Sequence, residues 1–260
     1  LVCAESCHVK RLPSAACNGM INHMKKRTII LSVIITVISA SAAFFFLRFS
    51  LLPKPASMEM QQIDLLLRVL LGIAGIIFVS IVAILAYILI FFRRPPGDLA
   101  EGPPMKGNAP LELAWTVIPL VIVVGVAIFG GRVLQRMEMP GPAQSEMEVR
   151  VIAARFSFTF EYPEYGITTS ELGLPADRRV WLRMTSRDVV HSFWVPEFGP
   201  KQDLVPGITT ELRFTPNKAG KYKVICAEQC GLGHTFMSAP VIVASPEDFR
   251  NWAQQQEGRK

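Results

Sequence analysis

The 260-residue sequence is poor in the side chains that do most metal and acid–base chemistry, with 4 histidines and 5 cysteines. It contains no Cys-x-x-Cys-His run, which excludes a c-type haem attached to this chain. Internal repeats and extended low-complexity tracts are also absent, so no repeat array organises it. Beyond residue 132 there is no excess of either charge. The formal charge of +6 comes from Lys and Arg crowded around apolar segments. It reads as a topology signal, and a nucleic-acid partner is not expected.

What is present in quantity is apolar sequence, half of the chain. Thr28 to Leu47, Leu65 to Phe92 and Leu113 to Leu134 each have the length of a bilayer-crossing helix, about 20 residues. The chain opens on Leu, while Met20 and Met24 stand just before Lys25-Lys26-Arg27 and the first apolar run, as at a translation start preceding a membrane signal. Residues 1–27 are therefore expected to be a leader, untranslated or without stable structure. Residues 28–47 read equally as a signal peptide, with Ala40-Ser41-Ala42 as its cleavage site, or as a first transmembrane helix. A transmembrane helical hairpin is expected over 62–139. Basic flanks at Lys25, Lys26 and Arg27, and at Arg93, Arg94 and Lys106, belong on the cytoplasmic side, which delivers everything after Arg132 to the outer, periplasmic face of a bacterial-type plasma membrane.

After the breaker Pro140-Gly141-Pro142 the pattern changes to short β-rich runs. These are Val149 to Ala153, Phe156 to Tyr162, Val180 to Met184, Val189 to Val195, Thr209 to Phe214, Lys221 to Ile225 and Pro240 to Val243. Such a series argues for a sandwich or Greek-key barrel over 144–260. Ser245-Pro246-Glu247-Asp248 combines an N-cap, a first-position proline and first-turn acids, so a short helix should close the chain.

The chemistry concentrates in Cys226-Ala227-Glu228-Gln229-Cys230-Gly231-Leu232-Gly233-His234-Thr235-Phe236-Met237. Two thiols, an imidazole and a thioether so close together suit copper better than hard cations such as calcium, magnesium or manganese. His191 supplies a second imidazole from an earlier strand end. Zinc fits less well, because Met is not among its usual ligands and no second cysteine pair is present downstream. Taken singly, Cys226 and Cys230 could form a disulfide in an oxidising compartment, His234 could be a surface histidine and Met237 a core methionine. Taken together, those readings would require the domain's two histidines and two cysteines to fall into a ligand-like spacing by accident.

This segment resembles the copper-binding signature of cytochrome c oxidase subunit II, Cys-x-Glu-x-Cys-x-x-x-His-x-x-Met. His191-Ser192-Phe193-Trp194-Val195-Pro196 is similar to the same family's upstream His motif. The resemblance implies a membrane-anchored all-β protein, with N-terminal transmembrane helices followed by a cupredoxin-like Greek-key β-sandwich or barrel. It implies two copper ions bridged by Cys226 and Cys230, one completed by His191 and Met237, the other by His234 and the backbone carbonyl of Glu228. It further implies a magnesium ion bound through Glu228 at the boundary with subunit I, and partnership with subunit I and other oxidase subunits. The chain would take electrons from cytochrome c or another small redox protein and pass them to haem in subunit I, where oxygen is reduced to water with proton translocation.

Leu111-Glu112-Leu113-Ala114-Trp115-Thr116-Val117-Ile118-Pro119 also looks like the family, and the resemblance implies a proton-pathway mouth at Glu112; as a residue alone, Glu112 is a favourable acid in a helix's first turn. Lys201 and Asp203 match positions that face subunit I, or form a solvated charge pair. The family's electron-receiving tryptophan falls on Phe156, in a run that otherwise reads as period-two core packing. That substitution, with a domain lacking an acidic face, points away from the usual donor contact. Gly231 and Gly233 either let the loop wrap closely or are ordinary turn glycines. Two competitors keep part of the chemistry: a nitric oxide reductase with the same kind of subunit, and a tethered copper chaperone, whose labile site would need fewer ligands.

Overall fold

The protein is described by a computed structural model over residues 14–91, 107–138 and 146–257. Residues 1–13, the basic loop with Arg93, Arg94 and Lys106, and Pro140-Gly141-Pro142 lie outside the described residues. Three apolar helices come first: α1 (Ser14–Arg48), α2 (Met58–Phe91) and α3 (Ala109–Glu138). All three are long and apolar enough to cross a membrane. Helix α1 starts well before the expected position 28, and Ala40-Ser41-Ala42 lies within its unbroken course.

The chain divides into two compact units. In the first, α1 packs along the part of α2 that begins at Arg68. Gly75 makes the approach close, since a Cβ there would stand 3.3 Å from the Phe46 ring, and Arg68 donates to the Leu47 carbonyl at 3.4 Å. Away from that contact, Phe78, Leu89 and Ile90 are exposed, as side chains facing lipid would be.

The second unit joins Ser50–Leu67 and α3 to ten strands. These are β1 (Met147–Ala154), β2 (Ser157–Tyr162), β3 (Ile167–Thr169), β4 (Leu172–Pro175), β5 (Val180–Ser186), β6 (His191–Trp194), β7 (Lys201–Leu204), β8 (Thr210–Phe214), β9 (Gly220–Cys226) and β10 (Ser238–Ala244). They form two five-stranded sheets, ordered β3-β2-β1-β5-β8 and β4-β10-β9-β6-β7. Most pairs are antiparallel, but β1 runs parallel to β5 and β4 to β10, so the sandwich closes through crossovers and not as a simple meander. This is the Greek-key cupredoxin-like architecture expected from the sequence. Its interior is lined by alternate residues of both sheets, among them Val149, Val151, Phe158, Phe160, Leu182, Phe193 and Phe214. Fully burying one such side chain contributes roughly 1.5–3 kcal/mol.

Seven runs were legible as strands, and three strands were not. Strands β3 and β4 are too short for a periodic signal, and every residue of β4 is buried, which erases alternation. Strand β7 is a polar edge strand, Lys201-Gln202-Asp203-Leu204. Two expected boundaries also move. The run from Val189 shortens to β6 because Asp188 turns the chain there, accepting from the Val189 N–H at 2.7 Å. Phe156 leaves its strand altogether, since Arg155-Phe156 form the tight turn between β1 and β2.

The start of α2 is built into the sandwich. The Ser57 hydroxyl donates to the Phe198 carbonyl at 2.7 Å and caps the helix by accepting from the Met60 N–H at 2.9 Å. Glu59, buried in the first turn, accepts from the Thr215 N–H at 2.8 Å and faces Arg179 at 3.9 Å. Arg179 also meets Glu146, which bridges on to Arg213. At the far end of the chain, α4 (Pro246–Glu257) begins as expected, with Ser245 Oγ accepting from the Asp248 N–H at 3.1 Å. Its Trp252 ring lies where a Cβ at Gly173 would stand, 2.5 Å away, so only glycine fits β4 there. The buried Tyr162 hydroxyl ties the two sheets by bonding both the N–H and the carbonyl of Gly173. Burial pushes its phenol well above the usual range.

Candidate metal centre

The ligand-rich segment is the connection from β9 to β10. These strands pair antiparallel with Ile225 opposite Ser238, and Cys226 N–H donates to the Met237 carbonyl at 3.0 Å, so residues 227–236 leave and return at one point. Strand β6 lies on the other side of β9, with Phe193 opposite Cys226, and the Ala227 N–H donates to Ser192 at 3.1 Å. That pairing carries His191 to the loop across a long stretch of sequence.

The six expected ligands converge. Cys226 Sγ and Cys230 Sγ are 3.9 Å apart; His191 Nδ1 stands 3.8 Å from Cys226 Sγ, and His234 Nδ1 3.6 Å from Cys230 Sγ. Met237 Sδ lies 3.8 Å from Cys230 Sγ, and the Glu228 carbonyl oxygen 3.2 Å from Cys226 Sγ. One donor atom each from His191, Cys226 and Cys230 falls within a span of 4.8 Å. Both cysteines are free thiols, far beyond the sulfur–sulfur bond length of about 2.05 Å, so the disulfide reading does not hold here.

Burial of the donors suits a closed site. His191, Cys226, Cys230 and Met237 are buried, and His234 is half-buried. Desolvation, followed by the neighbouring Cys226, pushes the Cys230 thiol up to about 11, so it holds its proton until something displaces it. Two thiols, two imidazoles, a thioether and a carbonyl directed at one small volume, four of the six from buried residues, form a donor set that fits copper.

One contributor was missed in the sequence. His191 Nε2 lies 2.9 Å from Asp188 Oδ1, and because a carboxylate only accepts, the ring proton sits on Nε2 and the Nδ1 lone pair faces the sulfurs. Desolvation alone would raise the Asp188 carboxyl. The His191 ring and the N–H groups of Val189 and Arg155 outweigh it and hold the carboxyl well below the usual carboxylate range. The only sequence signal for this role is an acid three residues before a histidine, in a turn.

Phe156, released from the strand, lies against the ligand loop. A Cβ at Gly231 would stand 3.4 Å from its ring, and one at Gly233 only 2.5 Å. Gly231 also has φ of 132°. Glycine is required at 233 chiefly to admit this ring, a more specific reason than loop tightness. The remaining expected site residues stand apart from the cluster. The Glu228 side chain is exposed although its carbonyl turns inward. Glu112 is exposed and closes a helix cap, accepting from the Asn108 N–H at 3.2 Å while Asn108 accepts from Leu111. Lys201 and Asp203 sit on edge strand β7, and Lys201 lines a cleft with Leu134, Gln202 and Arg213.

Residues 45–133 match the transmembrane domain, and residues 165–245 the periplasmic domain, of cytochrome c oxidase subunit II. Cytochrome c oxidase subunit 2 of a Synechocystis species is 31% identical over 86% of this chain and 80% of its own length. The chain belongs to the cytochrome c oxidase subunit II family. The same subunit of Thermostichus vulcanus is 31% identical over 88% of this chain and 85% of its own. Among solved structures, the periplasmic domain of subunit II of cytochrome oxidase from Bradyrhizobium japonicum has 23% identity and a TM-score of 0.43, covering 46% of this chain and 97% of that one. A subunit II chain with three apolar helices is a multi-pass membrane protein, and the β-sandwich of this family member is its periplasmic-type domain.

Proposed function

We propose that this chain is the electron-input subunit of a respiratory haem-copper oxidase, taking electrons from a small redox protein on the outer face and delivering them to haem in subunit I. Oxygen reduction to water and proton translocation belong to that partner. The observation that carries the reading is the convergence of His191, Cys226, the Glu228 carbonyl, Cys230, His234 and Met237, which would hold two copper ions. Copper held there would supply a one-electron redox couple, with Cys226 and Cys230 as thiolate ligands and His191, His234, Met237 and the Glu228 carbonyl completing its surroundings. The chain's own residues do the rest. Asp188 fixes the His191 tautomer, the sandwich holds the ligand strands in register, and burial of the cysteines excludes water and other reactants.

In this reading Phe156, packed over Gly231 and Gly233, is where electrons come in. The exposed Glu228 carboxylate would hold magnesium with groups from subunit I, Lys201 and Asp203 would face that subunit, and Glu112 would stand at a proton-pathway mouth. The sandwich would lie outside a bacterial plasma membrane. The deciding experiment is copper stoichiometry with electron paramagnetic resonance on the full chain in detergent, loaded with copper. Two coppers per chain sharing one delocalised spin are expected. A single localised copper, or a Cys226–Cys230 disulfide that persists under reducing conditions, would overturn the electron-input reading and return the chain to the chaperone reading.

A further inference from the structure

Strands β7 and β8 are each the last strand of a sheet, so the sandwich is open along the side where they meet, and each strand has one edge without a ladder partner. Helix α3 reaches this side at its end. Val133 is buried, while Leu134 lines a cleft of about 240 Å³ with Lys201 and Gln202 of β7 and Glu211, Leu212 and Arg213 of β8. The helix also sets the depth of the cleft. Its apolar span runs from Ala109 to Gln135, so Leu134 stands in the last turn, where hydrocarbon gives way to lipid headgroups. One turn further into the span, Gly130 and Gly131 leave the helix bare: among the described residues, nothing lies within 4 Å of where a Cβ would stand at either.

The charged groups that line the cleft are fixed by contacts in space. The Arg213 guanidinium lies over the Trp181 ring, 4.9 Å from its centroid, with Nε donating to Glu146 at 3.2 Å and Nη1 donating to Glu211 Oε2 at 2.9 Å. Among the described residues its Nη2 donors, the exposed Lys201 ammonium and Glu211 Oε1 have no partner. Lys201 and Arg213 are balanced by Glu211 and by Glu146 behind them, so the cleft carries both signs at separate points and no net charge. A simple anion would meet Glu211, and a simple cation would meet Lys201. A net-neutral group with its own separated charges satisfies all three lining side chains.

We propose that this cleft seats the headgroup of a phospholipid with a primary-amine zwitterion, a phosphatidylethanolamine, at the outer end of α3. Lys201 and the spare Arg213 donors take the phosphate, Glu211 takes the ammonium, and an acyl chain runs past Leu134 along the bare face at Gly131 and Gly130. The same chemistry selects among lipids. Phosphatidylglycerol brings a phosphate but no cation for Glu211, and phosphatidylcholine brings a cation with no N–H to donate. The bound lipid covers the two open strand edges and joins the sandwich to the span. Since Lys201 is read above as facing subunit I, the headgroup lies in that seam. The proposal needs α3 to cross the membrane and does not depend on copper.

The test is native mass spectrometry of the full chain in detergent and of the intact oxidase, each stripped of lipid and then offered phosphatidylethanolamine, phosphatidylcholine or phosphatidylglycerol with the same acyl chains. Retention of phosphatidylethanolamine about tenfold more tightly than either of the others is expected, the effect of one charge-assisted hydrogen bond. Glu211→Gln should remove the preference over phosphatidylcholine, and Lys201→Gln should weaken phosphatidylethanolamine and phosphatidylglycerol together. Both side chains are exposed, so neither change should move the thermal transition of the chain. Equal retention of the three lipids, a preference for phosphatidylglycerol, or variants that behave as the unsubstituted chain overturns the proposal. So does loss of the lipid from the intact oxidase, which would place a group of another subunit in the cleft. Copper content and the spin signal are independent of all these results, so failure of the lipid site and failure of the electron-input reading are told apart.

Discussion

A neutral imidazole offers a lone pair at one ring nitrogen only, so the group that takes the proton at the other nitrogen decides which one can bind a metal. At His191 that group is Asp188, itself held by two backbone N–H groups. Asp188→Ala should therefore lower copper affinity by about 10–100-fold, the usual effect of losing such a partner, as measured by competition with a chelator. Cys230 allows a prediction with pH. Its thiol is raised from 9.0 to about 11 in the fold, so between those values the folded chain binds the proton that the unfolded chain has released. Stability of the copper-free chain from this group is thus complete below about 9 and is lost as pH rises toward 11, which denaturant titrations in that window would register as a falling midpoint. Copper uptake must displace the same proton, so its affinity should fall as pH is lowered, and proton release on loading should be measurable in weakly buffered solution.

Element by element, the least ordinary feature is the first turn of α2. A helix built for lipid begins with Ser57 and Glu59 buried in a β-sandwich, where Ser57 caps the helix and Glu59 satisfies the Thr215 N–H and faces Arg179. Glu59→Ala leaves the buried Thr215 N–H without its acceptor, while Arg179 keeps Glu146. A loss of about 1–3 kcal/mol is expected, read as an earlier thermal transition of the purified chain, whereas a swap at the exposed Glu247 should stay within about 0.5 kcal/mol. The same turn explains why α2 starts at Met58, ahead of the apolar run from Leu65 and of the expected hairpin start at residue 62: its cap, Ser57, is fixed by a bond to the Phe198 carbonyl and not by the apolar run. Helix α1 poses the converse case, since its sequence fits both a signal and a span. Its packing on Gly75 and the Arg68 contact to Leu47 are what a retained span would use.

For the whole molecule, the basic flanks at Lys25 to Arg27 and at Arg93 and Arg94 predict that the sandwich lies outside the membrane. Protease added to intact spheroplasts should remove the part after Arg132 and leave the helices protected; protection of the sandwich until the membrane is broken would reverse the orientation. Much of this chain is readable without coordinates. The apolar lengths, the change to short β runs after residue 146 and the donor set from Cys226 to Met237 are local properties, set by composition and spacing over a few residues, and they determined the membrane anchorage, the sandwich class and the chemistry of the candidate metal site. What the tertiary structure decided depends on which strands become neighbours. Pairing of β6 with β9 brings His191 to the loop, the β1–β2 turn swings Phe156 onto Gly233, and the turn before β6 aims Asp188 at the His191 ring. The first two contacts join residues whose separation along the chain is closed only by the assembled sheets, so no local pattern encodes them, whereas Asp188 stands three residues from His191 and its role depends on how the turn aims it.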